Sequence, residues 1–265
     1  MKSWKSKHTV IPLGLTALLI FSTSSMAATG EWYIGGSLGY VWQNDSSNSG
    51  STGEFTTGNG SPAVPTGSQI NAGTPYGWDT SFDGGWAIAG EGGWMHDSGL
   101  RLGLELTYSG DDVDTHKNVN VAGTVIDGVD AAVLTGSPEQ LGATVGQVVA
   151  DGKGDITSTG LFLNAYYDFN RSNTFYPYVG LGIGFMNVNV KFNPSDIGII
   201  DDDETKFAYQ LKAGLAYRIA EQFDVYGEYA FRGTDDIKVQ NDLFPGDLEI
   251  ENQQHLLSLG VRYRF

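Results

Sequence analysis

Gln254-His255-Leu256-Leu257-Ser258-Leu259-Gly260-Val261-Arg262-Tyr263-Arg264-Phe265 is the stretch that decides the fold. Leu257, Leu259, Val261, Tyr263 and Phe265 occupy one parity, and Ser258, Gly260, Arg262 and Arg264 the other. Successive side chains of a strand point to opposite faces, so this segment is a strand with one uncharged apolar face and one charged face.

Working outward, seven further segments share the pattern, at residues 32–42, 86–95, 100–109, 159–169, 176–187, 207–218 and 223–232; the first stretch makes the eighth, 254–265. Each is long enough to cross a hydrocarbon layer as a tilted strand, for which about 9–11 residues suffice. No Asp, Glu, Lys or Arg occurs on the apolar parity of any of the eight. A charge facing lipid at the midplane costs about 2–4 kcal/mol, which accounts for that exclusion. A soluble sandwich would show the same alternation with the apolar parity turned inward. The aromatic residues separate the two: Trp32, Trp42, Trp86, Trp94, Tyr108, Tyr167, Phe169, Phe185, Phe207, Tyr217, Phe231, Tyr263 and Phe265 fall near the ends of the apolar faces, as interfacial girdles require.

Connections alternate in length. Those at 96–99, 170–175 and 220–222 are short; those at 43–85, 110–158, 188–206 and 233–253 are long. Short periplasmic turns and long external loops are the asymmetry of a transmembrane barrel. The fold read from these patterns is all-β: an eight-stranded antiparallel up-and-down transmembrane β-barrel with long extracellular loops. The first two long loops, rich in Gly, Ser, Thr, Asn and Asp, are expected to bury little and to move freely. Alternation resumes over 118–126 (Val119, Val121, Val125), so neighbouring strands are free to continue or to add a hairpin, and a ten-strand count stays open.

Lys2, Lys5 and Lys7 precede an uncharged apolar run at 10–21 and then Ser22, Thr23, Ser24 and Ser25. This order is that of a signal peptide, expected over residues 1–27 with a cut between Ala27 and Ala28, leaving one barrel domain over 28–265. Removing it moves the formal net charge from −16 to −19, since three lysines and no acids leave. Such acidity argues against nucleic acid and favours cations or basic surfaces as partners. The sequence holds no cysteine, so no disulfide framework supports the fold.

If the apolar parity faces lipid, a nearly balanced set of charges points into the lumen. The turn at 220–222 sets Arg218 opposite Asp224 and Lys212 diagonally near Glu228, while Glu91 and Glu105 face each other and need a cation between them, or else one of them holds its proton. An eight-stranded barrel is only wide enough for side chains to fill, so a plugged core is expected, with a small diffusion channel for ions or solutes as the alternative. For an outer-membrane protease or lipid hydrolase the candidates are few. Asp114 and His116 share a parity two residues apart, after Asp111 and Asp112. His255 and Ser258 fall on opposite faces of a strand, which rules them out as an acyl-transfer pair, and His96 reads as a turn residue. Asp201, Asp202, Asp203 and Glu204, with Asp196 before them, are candidate ligands for a hard cation, but lack the spacing of an EF-hand. The alternating glycines of Tyr178-Val179-Gly180-Leu181-Gly182-Ile183-Gly184 make room for bulky lumen neighbours; no helix follows that would make them a nucleotide loop. No cofactor motif is present.

The stretches Tyr176-Pro177-Tyr178-Val179-Gly180-Leu181-Gly182-Ile183-Gly184, Ala213-Gly214-Leu215-Ala216-Tyr217-Arg218 and Gly260-Val261-Arg262-Tyr263-Arg264-Phe265 resemble the OmpA-like and opacity-protein outer-membrane barrels, including the rickettsial surface antigens. The resemblance implies a monomeric, non-enzymatic protein of the cell outer membrane, structural, adhesive or antigenic, acting through its acidic loops. It implies outer-membrane lipid and lipopolysaccharide as surroundings and host or matrix ligands at the loops. It also implies that Phe265 and Tyr263 form the signal read by the barrel assembly machinery.

Overall fold

The computed structural model describes residues 30–60, 65–196 and 198–265. The expected signal peptide and its cut at Ala27 lie outside them. In chain order the strands are β1 (Gly30–Gln43), β2 (Ser46–Thr52), β3 (Phe55–Thr56), β4 (Gln69–Ile70), β5 (Pro75–Phe82), β6 (Gly85–His96), β7 (Leu100–Val121) and β8 (Thr124–Val125). Two short helices, α1 (Ala132–Thr135) and α2 (Val145–Val149), come next. Then follow β9 (Gly154–Asp168), β10 (Phe175–Phe192), β11 (Ile200–Ala220), β12 (Phe223–Thr234), β13 (Ile237–Gln240), β14 (Gly246–Ile250) and β15 (Gln253–Arg264).

Eight of these strands close a circuit. β1 pairs β6, β6 pairs β7, β7 pairs β9, and the ladder continues through β10, β11, β12 and β15 back to β1, every pair antiparallel. Leu38, Ile88, Leu104, Leu163, Leu181, Leu211 and Leu259 are exposed around the outside, and Leu259 reaches 75 %. Tyr33, Arg101, Glu105, Tyr178, Lys212 and Arg262 are buried inside. This is the dress of a wall that meets lipid, and the period of two along each strand produces it directly. The glycines opposite bulky lumen residues are required by close approach: a β-carbon at Gly180 would run into the Tyr166 ring, and one at Gly214 into the Tyr178 ring.

At 22, 18 and 21 residues, β7, β10 and β11 run far beyond a membrane crossing. Their upper halves belong to a second ring. β7 pairs β5, β5 pairs β2, β2 pairs β14 and β14 pairs β13. At the seam between β13 and β11 the backbone N–H groups of Lys238 and Gln240 donate to the carboxylates of Glu204 (2.6 Å) and Asp202 (3.2 Å). The loop segments at 43–85 and 110–158, expected to bury little, therefore form a folded head. The reason is their sparse large apolar residues: Tyr76, Trp78, Val119, Val133, Val145 and Val149 are buried and pack with Val188, Val190, Phe192, Ile200, Ile237, Val239, Leu248 and Ile250. The resumed alternation after residue 118 is the end of β7, which pairs the short β8 and leaves the membrane ring at eight. α2 is fixed at its start by a reciprocal cap, in which Gln147 N donates to Thr144 Oγ1 and Thr144 N to Gln147 Oε1.

Candidate functional site

Two features decide what the molecule can do: what fills the membrane ring, and what the head presents. Lumen side chains of opposite sign meet in layers. Arg101 bridges Glu91 (3.2 Å) and Asp168 (3.3 Å) and sits over the Tyr166 ring, its guanidinium carbon 3.6 Å from the ring centre. Glu91 also accepts from Tyr33 (2.6 Å), Tyr166 (2.5 Å) and Asn164 (2.8 Å). Glu91 and Glu105 are cross-strand partners, and they take different cations: Arg101 for Glu91, Lys212 and, at 3.7 Å, Arg232 for Glu105. Lys212 also reaches Glu228 at 3.0 Å, and Tyr178 donates to that same carboxylate at 2.9 Å. Nearer the short turns Asp224 gathers Arg218 (3.6 Å), Arg264 (3.2 Å) and the Tyr176 hydroxyl (2.9 Å). Between these groups remain gaps of about 20 and 10 Å³. A water needs about 10–15 Å³ on this measure, so each gap admits one water or about that.

Charge is partitioned between the two regions. Residues 44–84, 111–157, 187–206 and 234–252, which build the head and its loops, hold 23 Asp and Glu against 5 Lys, a net of −18. The rest of the chain from residue 28 holds 8 acids against 7 bases, a net of −1. The acids of Asp201, Asp202, Asp203 and Glu204 alternate across β11. Asp202 and Glu204 hold the β13 edge, while Asp203 accepts from Asn187 at 2.8 Å. Among the described residues no three His, Cys, Asp or Glu side chains are grouped to hold a metal ion.

The shared face expected for Asp114 and His116 is corrected by a register shift. β7 bulges opposite Ser81 and Phe82, so Asp114 is exposed and His116 buried. His116 Nδ1 lies 2.8 Å from Thr80 Oγ1, its ring meets Phe192 edge-on, and burial holds its pKa down to about 4. His255 faces outward, stacked on Trp42 and 2.7 Å from the Tyr229 hydroxyl, while Ser258 points into the lumen beside Glu228. His96 sits with Ser98 in the turn before β7. Asp111, also buried, caps the lumen above the Tyr108 girdle, with Gln254 Nε2 at 3.4 Å. Burial, helped by neighbouring Asp112, pushes its carboxyl up to about 7. Its inward parity was legible in the sequence, but its isolation from bases was not.

A closed antiparallel ring with a lipid-type exterior and a charged, filled lumen defines the class of outer-membrane β-barrels. The chain belongs to the outer membrane protein beta-barrel domain family, whose model matches residues 13–265. A relative, outer membrane protein PagN of Salmonella typhimurium, is 22% identical over 124 residues, covering 43% of this chain and 52% of that protein. The chain thus spans about half the length of that curated relative. Among solved structures, the outer membrane protein OprG from Pseudomonas aeruginosa superposes with a TM-score of 0.54 at 14% identity, over 90% of this chain and 97% of its own. Neisserial surface protein A is similar at a TM-score of 0.44 and 14% identity, over 88% and 97%.

Proposed function

We propose that this outer-membrane protein is a non-enzymatic surface protein whose barrel anchors an acidic head, and that the head engages basic partners such as cationic peptides or basic host and matrix proteins. The observation that carries the reading is the charge partition, with −18 in the head against −1 in the barrel. Such a field attracts cationic partners over about a Debye length, roughly 8–10 Å at physiological salt, and repels polyanions. Cells displaying the chain should bind fluorescent poly-lysine more than cells without it, with binding falling steeply between about 50 and 300 mM salt, and should not gain heparin binding. Equal poly-lysine binding with and without the chain would sink this reading.

The filled lumen supports an anchor over a diffusion channel, and the separation of Asp114 from His116 supports a surface protein over a hydrolase. Within the same reading, the barrel sits as a monomer among lipid and lipopolysaccharide, and Tyr263 and Phe265, both on the outward parity, are what the assembly machinery reads.

A further inference from the structure

Ladders of backbone hydrogen bonds join the strands of the head from β13 through β14, β2, β5, β7, β9 and β10 to β11, and stop there. Between β11 and β13, over residues 200–207 and 237–240, no backbone pair is made. The seam is shut at its base, where Ala208 pairs Thr234, and at its tip, where Asp242 N donates to Ile199 O at 2.7 Å. In between, carboxylates stand where a strand would. Asp202 accepts from its own neighbour Asp203 N (2.9 Å) with one oxygen and from Gln240 N across the seam (3.2 Å) with the other. Glu204, paired with Lys206 at 3.0 Å, accepts from Lys238 N (2.6 Å).

The strand registers fix which backbone groups look into the seam. Arg218 N donates to Thr174 O, and the same β10–β11 register continues unbroken to Ile200. Antiparallel pairs alternate between bonded and unbonded, so Asp202 and Glu204 turn their N–H and C=O to β10, while Asp201, Asp203 and Thr205 turn theirs to the seam. Asn241 N donates to Gly246 O, and the same alternation gives Ile237 and Val239 to β14 and turns Lys238 and Gln240 to the seam. Two strand edges thus face each other without pairing, and an unpaired edge is a template for another strand.

The flanks select that strand. Residues 200–207 and 235–240 hold six Asp or Glu against two Lys. Asp201 and Asp203 are exposed on the outer face, whereas Ile237 and Val239 are buried on the inner one. An added strand meets carboxylates with its outward side chains and aliphatic groups with its inward ones. A bridging carboxylate holds the edges farther apart than the about 4.8 Å of a ladder and nearer than two such spacings, so β13 must step outward by roughly 2–3 Å to admit a strand. The breaks at residues 235–236 and 251–252, on either side of the β13–β14 hairpin, give it that freedom.

We infer that the β11–β13 seam is a strand-addition site for an extended basic peptide, one that alternates Lys or Arg outward with β-branched residues inward. The peptide backbone pairs with both edges, and its cations lie along Asp201 and Asp203. This mode of capture rests on the reading of the head as a partner of basic proteins.

The chain from Ala28, refolded in detergent, is titrated with a fluorescein-labelled seven-residue peptide of alternating lysine and valine, and with the same peptide methylated on its valine backbone nitrogens. Both carry the same charge, but the second cannot complete the ladder on one edge. The first should bind at least about tenfold more tightly, since several hydrogen bonds of about 1 kcal/mol separate them. Thr205→Pro alters no charge and leaves the β10 ladder whole, because the Thr205 N–H faces the seam, and an edge accepts proline there. It should weaken the unmethylated peptide by about tenfold and leave poly-lysine binding and the heat-dependent gel shift unchanged. Equal binding of the two peptides, or full binding by folded Thr205→Pro, would overturn the seam and leave a head that attracts cations by charge alone. Poly-lysine binding without binding of either peptide would overturn it too, and loss of poly-lysine binding as well would take the proposed function with it. The methylated pair decides even where Thr205→Pro fails to fold.

Discussion

Along β10 the even residues face inward throughout, yet their chemistry reverses partway up. Tyr176 and Tyr178 meet the lumen charges below, whereas Met186, Val188, Val190 and Phe192 enter an apolar core above. The odd residues reverse in the opposite sense, from exposed Val179, Leu181, Ile183 and Phe185 to Asn187, Asn189 and Lys191. One continuous strand thus belongs to an inside-out barrel in lipid and to an ordinary barrel in water. Burial parity is set by backbone geometry, while the solvent on the far side decides which parity is greasy.

The comparison breaks most easily where each region relies on its own kind of core. Lys212→Ala leaves Glu228 buried without its cation and Glu105 with only Arg232, 3.7 Å away, and should cost about 3–5 kcal/mol, read as a lower denaturant midpoint for the heat-dependent gel shift. Phe192→Ala should cost a similar 3–5 kcal/mol, but only in the head: proteolysis of external segments should quicken while the gel shift stays. If the two variants lose shift and protease resistance together, the regions are one cooperative unit. On the outer surfaces the contrast sharpens. Leu259→Arg should cost about 2–4 kcal/mol in bilayers, whereas Asp203→Arg, equally outward on the head, should stay within about 0.5 kcal/mol.

A smaller effect concerns pH at the junction. The Asp111 carboxyl, raised from 3.8 to about 7, contributes stability that is full below about pH 4 and lost as pH rises toward 7. The His116 imidazole, lowered from 6.5 to about 4, acts oppositely, its contribution being lost as pH falls from about 6.5 to 4. Head protease resistance in Asp111→Asn should therefore fall less than in wild type between pH 5 and 8, and an identical profile would remove Asp111 from the account.

The membrane ring was legible because its outward parity tolerates no charge over eight segments. Lumen pairs followed from register alone: Arg218 opposite Asp224, and Lys212 diagonal to Glu228. The head was hidden because its strands are short and set in Gly-, Ser- and Asp-rich sequence, where composition suggests a solvated loop. Local alternation at Ile237-Lys238-Val239-Gln240 and Leu248-Glu249-Ile250 was the available signal. The expected Asp114 and His116 pairing failed because a bulge is invisible to a count of parity.

Four strands, β7, β9, β10 and β11, run unbroken from membrane to head, while the other half of the wall is interrupted at residues 44–45, 83–84, 235–236 and 251–252. Mechanically the head is a cantilever with a stiff back and a jointed front. A sideways pull on a bound partner would be carried into the membrane along the unbroken staves, and the head would tip toward the side where five of the eight joint residues are Asp or Glu.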